Sequence, residues 1–248
     1  MNRFYCPQIE SGVLSEDESH HATHVLRLKE GATVSVFNGK GREAHVRLSD
    51  VRGRQVKFKV LSSTQRPEPS FHVSLAQAVT KSKAMDFIIQ KATELGVSEI
   101  WPILSERSVV HLNVEKGEQK QEKWQHITLE ACKQCGRTIL PTVHEATNLD
   151  GFLKQAAGRP GATQLIASLQ PEARLLGHML GEASKQPTGL RNVLFLIGPE
   201  GDFTPSEIGR ARAAGFLPVS LGPNVLRSET ASLFVISAIA YEQQKQYL

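Results

Sequence analysis

NVLFLIGPEGDFTPSEIGRARAAGFLPVSLGPNVLRSETASL, residues 192–233, contains the strongest indications of fold in this 248-residue chain. Two short apolar runs, 193–197 and 218–221, each end in a turn rich in glycine and proline. Such runs are typical of strands that are buried on both faces of a parallel sheet. Ligands of open α/β sheets bind beyond the carboxyl ends of the strands. The two turns therefore predict one pocket, lined by backbone that glycine allows a ligand to approach.

The second turn is the stronger signal. LGPNVLRSETA (221–231) places Arg227, Glu229 and Thr230 within four positions, where a solvated loop needs none of them. GPEG (198–201) is weak by itself, and two ordinary strand–helix loops are the alternative interpretation. Neither turn is a G-x-G-x-x-G dinucleotide fingerprint, and the chain has no G-x-x-x-x-G-K-[ST] phosphate loop. A nicotinamide-dependent dehydrogenase is therefore a weak alternative.

From residue 71 onward, apolar runs of strand length alternate with segments in which apolar residues recur every three or four positions. Such alternation predicts an α/β domain with a mainly parallel sheet. Thr204, Pro205 and Glu207 form a capping box with proline at the first helical position, and Gly215 ends that helix. The other helices are expected at 83–95, 118–136, 149–157, 172–180 and 229–246, and the strands at 71–79, 99–104, 163–168, 192–197 and 217–221.

Residues 1–72 have a different pattern, in which short β-type runs accompany one helix. Ser15 and Glu18 give the helix a capping-box start, and we expect it to continue to about Leu28. A linker containing two prolines is expected at 62–70. The chain is thus expected to divide into a small β-barrel domain (1–70) and an α/β domain (71–248). The strands of the first domain are expected at 33–38, 42–48 and 55–61.

Charge mildly favours a polyanionic partner, because the formal net charge is +4 and the pI is about 9.0. The most basic part is 40–59, which a phosphate-binding surface and an ordinary solvated strand face explain about equally well. No apolar run approaches the roughly 20 residues of a membrane span, and the first residues lack a signal-peptide pattern. We therefore expect a cytoplasmic protein.

Metal binding has little support in the sequence. Cys6, Cys132 and Cys135 are an odd, low number of cysteines, which fits a reducing compartment. Cys132 and Cys135 form C-x-x-C inside a helical pattern without a second pair at zinc spacing, so helix packing is the better interpretation. His20 and His24 lie one helical turn apart without a third ligand nearby, which favours surface or packing histidines. We expect no metal cofactor.

Two motifs near the C-terminus, LIGPEGDFTPSEI (196–208) and LGPNVLRSETA (221–231), together closely resemble the RsmE family. Its members are S-adenosylmethionine-dependent methyltransferases of the knotted SPOUT superfamily, and they methylate N3 of a uridine in 16S ribosomal RNA. The resemblance extends over nearly the whole chain, although family members more often have serine where Cys135 stands. The other similar blocks are HVLRLKEG (24–31), KATELGV (91–97), SERSV (105–109) and EACKQCGR (130–137).

The resemblance implies a SPOUT-type parallel sheet with a C-terminal trefoil knot, preceded by a small PUA-like β-barrel domain that binds RNA. It also implies that S-adenosylmethionine binds in the knot loops and that a homodimer completes the active site on the small-subunit RNA. The apolar last helix suits a dimer interface and an intramolecular core equally well. Carried over by motif, the cofactor pocket uses Leu196, Ile197, Gly198, Glu200, Gly201, Leu221, Gly222, Leu226, Thr230 and Ala231.

The acceptor chemistry requires a cation and a base. Uridine N3–H is a weak acid, and its deprotonation leaves negative charge on ring oxygens that a fixed cation can stabilise. Arg227 or Arg137 is the candidate cation, although charge complementarity at a helix C-terminus explains Arg137 equally well. Glu229 is the candidate proton acceptor, directly or through water. An ordinary acid near a helix N-terminus is the alternative interpretation of Glu229.

RNA contacts are expected from residues outside the pocket, together with the basic strands of 40–59. Two other functions stay open: a SPOUT enzyme that acts on transfer RNA or large-subunit RNA, and an RNA-binding protein without catalysis. The N-terminal HVLRLKEG block argues against the first, and the intact 227–230 block argues against the second. The candidate RNA-binding residues are Arg3, Arg27, Lys91, Arg107 and Gln134.

Overall fold

The computed structural model describes residues 1–52, 54–67, 69–108, 114–157, 159, 161–186 and 189–245. The chain separates into two compact units, and each has its own hydrophobic core. The first unit comprises Met1–Pro69 and Leu129–Leu140, and the second comprises Ser70–Thr128 and Pro141–Leu248.

The first unit is built on a sheet with the strand order β1–β2–β3–β4, in which β1 (Arg3–Tyr5) is parallel to β2 (Thr33–Phe37). β3 (Arg42–Asp50) and β4 (Lys57–Gln65) continue the sheet antiparallel. Alternate residues of β3 are buried, so one face of the sheet packs on the core. The linker expected from residue 62 is wrong at its start, because β3 is long enough to pair with β4 as far as Gln65.

The helix of the first unit is shorter than expected. α1 (Glu16–His20) is followed by a π-helical turn over His21–Val25, and Arg27 has a left-handed φ of 53°. Leu26 N donates to His21 O, five residues back, at 2.9 Å, which is the hydrogen bond of a π-helical turn. The predicted continuation to Leu28 is therefore wrong, because backbone bonding changes after one α-helical turn.

The second unit has helices on both faces of a sheet whose described pairings are all parallel. Its strands are β5 (His72–Ala78), β6 (Glu99–Leu104), β7 (Thr142–Val143), β8 (Thr147–Asn148), β9 (Thr163–Ala167), β10 (Arg174–Leu175), β11 (Asn192–Ile197) and β12 (Leu217–Ser220). Their order is β10–β12–β9–β11–β5–β6–β7, and β8 also pairs with β6. Its helices are α2 (Ser82–Glu94), α3 (Val114–Cys135, whose last turns belong to the first unit), α4 (Leu149–Ala156), α5 (Leu176–Ala183), α6 (Pro205–Ala213) and α7 (Ser228–Gln244).

β11 is buried on both faces, as its sequence predicts. Val193, Phe195 and Ile197 share a core with residues of α2, α5 and α7. Leu194 and Leu196 share a second core with residues of α4 and α6. Because β5 and β9 pair with β11 on its two sides, this strand has neither a polar face nor a free edge.

One predicted helix of the second unit is displaced. The helix expected at 172–180 begins at Leu176, because Arg174 and Leu175 extend as β10 beside β12. Glu172 forms an ion pair with Arg212 at 2.8 Å instead of starting the helix. The buried apolar residues of α5 therefore determine its start, and the preceding acid does not.

The apolar α7 lies partly in the core. Ile236 and Ile239 are buried against α2, whereas Phe234 and Tyr241 are exposed. The expected helix end at residue 246 lies outside the described residues. No helix in the described part of the chain combines the length and the apolar character that crossing a membrane requires.

The last turns of α3 correct the expectation for the cysteine pair. Cys132 is buried and packs as predicted, but Cys135 is exposed, so it does not lie on the buried stripe. The buried side of α3 contains Trp124, Thr128 and Cys132. Ala131 and Cys132 are buried near the end of α3, whereas Cys135 is its last residue.

Candidate functional site

The carboxyl ends of β12, β9 and β11 meet at one cavity. These strands are adjacent and parallel, so the segments that follow them leave the sheet at the same edge. The cavity has a volume of about 460 Å³. Small-molecule sites have volumes of roughly 300–1,000 Å³. The lining residues lie within 167–173, 197–202 and 220–231.

The structure brings the two predicted turns together, and most of the predicted cofactor residues line the cavity. Leu196 is buried in the core on the other face of the sheet, Gly201 lies against the Arg107 side chain, and Thr230 is exposed on α7. These three residues are not among the lining residues. The predicted residues that line the cavity are Ile197, Gly198, Glu200, Leu221, Gly222, Leu226 and Ala231.

A third wall was missed by the sequence analysis. β9 lies between β12 and β11, and the segment after it contributes Ser168, Leu169, Gln170, Pro171 and Ala173 to the lining. This segment has no glycine-rich turn, and its only local signal is that it follows an apolar strand. The order of strands in the sheet is what places it between the two predicted turns.

The first turn is held tightly beneath the cavity. A Cβ on Gly198 would lie 3.1 Å from Asp202 Oδ1 and 3.3 Å from Phe203 N, so only glycine fits without displacement. Asp202 N donates to Pro199 O at 2.9 Å, and Asp202 has a left-handed φ of 58°. Arg107 Nη1 donates to Gly201 O at 2.8 Å from outside the turn.

The capping box that the sequence predicts is formed at the start of α6. Thr204 N donates to Glu207 Oε2 at 2.8 Å, and Glu207 N donates to Thr204 Oγ1 at 3.2 Å. The other carboxylate oxygen of Glu207 accepts from Glu106 N at 2.9 Å. The first turn is therefore fixed both to the helix that follows it and to the segment after β6.

The second turn begins at Gly222, whose φ of 122° disfavours any residue with a side chain. It leads into α7, whose first residue, Ser228, is buried and lines the cavity. Ser228 Oγ donates to Gly198 O at 2.9 Å, so the second turn is bonded directly to the first.

A buried glutamine anchors this junction. Gln77 Nε2, at the carboxyl end of β5, donates to Ser228 Oγ at 2.9 Å and to Ala78 O at 2.9 Å. Gln77 Oε1 accepts from the Ser232 hydroxyl one turn along α7. Gln77, Ser228 and Ser232 were not singled out from the sequence; a polar residue inside the apolar run FHVSLAQAV (71–79) was the available signal.

The candidate catalytic residues Arg227 and Glu229 flank Ser228. Arg227 is exposed and precedes α7 without capping it, and Glu229 is half-buried in its first turn. Arg137 belongs to the first unit, just after Gly136 ends α3, so its place beside Arg227 stays a prediction. The pKa of Arg137 is below its ordinary value, because the effect of burial exceeds the opposite effect of the nearby Cys132 and Cys135.

The candidate RNA-binding residues differ in their availability. Arg3 is 11% exposed and donates to Glu43 Oε1 at 2.9 Å and to Cys132 O at 2.7 Å, so its guanidinium is engaged within the first unit. Lys91 pairs with Glu94 at 2.8 Å. Arg27 and Gln134 are exposed. Partners within the first unit therefore engage Arg3. The role of these four residues and of Arg107 in binding RNA stays a prediction.

The electrostatics of the cavity are acidic. Glu200 and Asp202 are the charged residues among its described lining residues, which include no lysine, arginine or histidine. Burial raises the pKa of Asp202 above its ordinary value of 3.8. Backbone hydrogen bonds from Phe203 and Leu169 and the charge of Arg107 lower this pKa without cancelling the effect of burial. The cavity therefore suits a ligand that carries positive charge.

A second cavity of about 380 Å³ lies at the opposite, amino edge of the same sheet. At its centre is the Glu99 carboxylate, which accepts from Ser74 Oγ at 2.5 Å and from Arg159. His144 Nε2 lies 2.7 Å and His72 Nε2 3.2 Å from its oxygens. Burial would raise the pKa of Glu99, but the bonds from His144, His72, Arg159 and Ser74 hold it well below its usual range.

Comparison with known proteins places both parts of the chain in one family. Residues 66–240 match the family model of the RNA methyltransferase domain, and residues 14–61 match that of the RNA methyltransferase PUA domain. Ribosomal RNA small subunit methyltransferase E of Bacillus subtilis is 31% identical over 234 residues, which cover 93% of this chain and 90% of the relative.

Two solved structures are similar over nearly their whole length. A putative methyltransferase from Legionella pneumophila, in complex with the bound cofactor SAM, is 32% identical with a TM-score of 0.85, covering 97% of each chain. A ribosomal RNA small subunit methyltransferase E from Neisseria gonorrhoeae, bound to S-adenosyl methionine, is 32% identical with a TM-score of 0.83, covering 99% of this chain and 98% of that one. The glycine-lined cavity, the motif at 227–230 and these matches lead to one conclusion: the chain belongs to the RsmE family of RNA methyltransferases.

Proposed function

We propose that this protein transfers a methyl group from S-adenosylmethionine to N3 of a uridine in the 16S ribosomal RNA of the small subunit. The observation that carries the proposal is the cavity at the carboxyl edge of the sheet. Arg227 and Glu229 precede and follow its lining residue Ser228 in the sequence. The Legionella and Neisseria relatives, which were solved with this cofactor bound, support the choice of methyl donor.

The residues of the cavity fit an adenosyl ligand that carries a sulfonium. Ile197, Leu221 and Leu226 supply an apolar slot, and the glycine-rich turns expose backbone donors and acceptors. Gly198 and Gly222 allow the backbone to pass where a side chain would collide or be strained. When bound, S-adenosylmethionine supplies a methyl carbon that bonds to uridine N3 while the carbon–sulfur electron pair stays on sulfur as a neutral thioether.

The residues beside the cavity prepare the acceptor. Glu229 accepts the N3 proton, directly or through one water, so that the nitrogen lone pair becomes nucleophilic. Arg227 or Arg137 stabilises the negative charge that then spreads onto the ring oxygens. Since displacement at a methyl sulfonium needs an in-line approach, positioning by these groups is a large part of the catalysis.

RNA docking uses basic residues outside the cavity. Arg27, Arg107 and the basic strands of 40–59 bind phosphates, with Arg3, Lys91 and Gln134 as further candidates. N3 is hidden when uridine is paired, so the target base is splayed out of its helix to reach the donor. The phosphate contacts make the affinity for RNA fall steeply as the salt concentration rises.

The finer architecture belongs to the same proposal. Residues 1–70 form a small PUA-like β-barrel domain that binds RNA, and residues 71–248 form the SPOUT domain with a trefoil knot near its C-terminus. Two copies form a homodimer through exposed aromatic residues of the neighbouring helices α2 and α7, including Phe87, Phe234 and Tyr241. The enzyme acts in the cytoplasm, where ribosomal subunits are assembled.

Methyl transfer to purified RNA substrates tests the proposal directly. The protein is incubated with S-adenosylmethionine and with small subunits, large subunits, free 16S RNA or transfer RNA, and the modified nucleoside is identified by mass spectrometry. We expect N3-methyluridine in small-subunit RNA alone. Methylation of transfer RNA or of large-subunit RNA would overturn the substrate, and donor binding without methylation of any RNA would favour a non-catalytic RNA-binding protein.

A further inference from the structure

Asp202 occupies a special position in the wall of the cavity. Its Oδ1 accepts from Phe203 N at 2.7 Å and lies 3.1 Å from the site that a Cβ on Gly198 would occupy. The backbone of Leu169 also bonds this carboxylate. The side chain thus joins the turn after β11 to the segment after β9, and both segments line the cavity.

The negative charge of Asp202 is poorly compensated within the protein. Arg107, whose Nη1 donates to Gly201 O, is a nearby cation that compensates part of this charge, but the buried Glu207 adds a like charge and burial outweighs the effect of Arg107. Glu200, the other charged lining residue, is also an acid. A half-buried carboxylate in these surroundings is stabilised when a cation enters the cavity.

We propose that Asp202 makes the cavity prefer a cationic ligand over a neutral one of the same shape, and so favours the methyl donor over the demethylated product. This inference rests on the proposed function for the identity of the two ligands. The donor carries a permanent charge on its sulfonium sulfur, whereas S-adenosylhomocysteine has a neutral thioether at the same atom. A sulfonium has no N–H or O–H to donate, so a nearby negative charge is the interaction that distinguishes it.

Preference of this kind has a consequence for turnover. Transfer of the methyl group removes the positive charge from the ligand, and the attraction to Asp202 is lost in the same step. The product keeps the other groups of the donor and is then held without this attraction. Asp202 therefore assists exchange of spent for fresh donor, and it acts as a specificity-determining residue that takes no proton from the RNA.

The test is calorimetry of S-adenosylmethionine and S-adenosylhomocysteine binding to the wild type and to Asp202→Asn. Asparagine keeps the shape and the acceptor for Phe203 N, and it tolerates the left-handed backbone of this position. We expect the ratio of product Kd to donor Kd to fall roughly tenfold in the variant. Kd for the product should change by less than about twofold, since its neutral sulfur has little interaction with the charge.

Glu172→Gln is the matched control, because Glu172 lies between the lining residues Pro171 and Ala173 but pairs with Arg212. It should leave the ratio unchanged, and melting temperatures should verify that both variants fold. Equal weakening of donor and product by Asp202→Asn, or no change in their ratio, would overturn the inference. Failure of the wild type to bind either ligand would instead overturn the proposed function, so the two failures are distinct.

Discussion

The two edges of the parallel sheet in the second unit are opposites in chemistry. At the carboxyl edge, glycine-rich turns leave a cavity whose charged lining residues, Glu200 and Asp202, are both acids. At the amino edge, Glu99 is 9% exposed and bonded by Ser74, Arg159, His72 and His144. The first edge exposes backbone and acidic groups to its cavity, and the second bonds its carboxylate within the protein.

This difference separates a binding site from a structural cluster. Both edges have a cavity and buried titratable groups, so neither feature by itself indicates function. What distinguishes the carboxyl edge is backbone exposed by glycine and a carboxylate whose charge its neighbours compensate only in part. Glu99 has its pKa lowered by partners within the protein, whereas Asp202 has its pKa raised by burial that its partners do not offset. Four substitutions, each with a matched control, test this difference between the two edges.

The largest effect is expected at the carboxyl edge from Glu229→Gln. Loss of the proton acceptor should reduce methyl transfer by about 1,000-fold, while the Kd of S-adenosylmethionine changes little. Single-turnover methylation and calorimetry measure the two quantities. Glu242→Gln, near the other end of α7, is the control and should retain full activity. Unchanged turnover in Glu229→Gln would remove this residue from the mechanism.

Glu99→Gln should have the reverse profile, with a large loss of stability and an unchanged Kd for the donor. Removing the charge from a buried, fully bonded carboxylate should lower the free energy of unfolding by about 3 kcal/mol at neutral pH. Chemical denaturation measures this, and Glu182→Gln in an exposed ion pair with Arg174 is the control that should leave stability unchanged. Loss of donor affinity in Glu99→Gln would contradict the separation of the two edges.

The same carboxylate predicts a pH dependence. Because the folded protein lowers the pKa of Glu99, its contribution to stability is fully present above the ordinary value of 4.5. The contribution is lost as pH falls below 4.5 towards the pKa of the folded state. The difference in stability between wild type and Glu99→Gln should therefore be constant above this value and narrow below it.

Gln77→Met should affect both stability and donor binding, because Gln77 holds Ser228 and Ser232 beneath the cavity. Unsatisfied buried hydroxyls should cost about 2 kcal/mol, and the donor Kd should rise several-fold. Gln243→Met is the matched control: Gln243 is buried on the same helix and donates to Leu190 O at 3.0 Å, away from the cavity. It should lose stability with no change in donor Kd, and a similar rise in both variants would contradict the role of Gln77.

The smallest effect is expected from the helix caps. Thr204→Ala at α6 and Asn148→Ala at α4 should each cost about 1 kcal/mol, since each side chain accepts one backbone hydrogen bond. Only Thr204→Ala should also weaken donor binding, by about twofold, because α6 follows the turn that carries Gly198 and Asp202. Equal donor affinity in both variants would show that the cap does not support the turn.

Local patterns in the sequence were sufficient for much of the fold. The strands 99–104 and 192–197 and the capping box at Thr204 were predicted with the boundaries that the structure has. Predictions were wrong where tertiary contacts overrode a local signal. β4 extends into the start of an expected linker because β3 offers it a partner, and α5 starts late because a strand forms first beside β12.

The candidate site was predicted in outline, and its two glycine-rich turns do line one cavity. The wall after β9 was missed because its residues have no distinctive turn chemistry. Gln77 and Ser228 were missed because the bond between them joins residues 151 positions apart. Asp202 lies within a motif that was quoted, but its burial and its bond to Leu169 depend on a neighbouring strand.

The sequence alone determined where this chain forms buried strands, where glycine allows a close approach, and which titratable residues follow the second turn. Those properties depend on side chains within a few positions of one another, so a single stretch contains them. Tertiary contacts were needed to place β9 between the two turns, to join them to β5 through Gln77, and to make bonding partners dominate at Glu99 but burial dominate at Asp202. Strand order and charge compensation are set by residues far apart in the chain, and no local pattern specifies them.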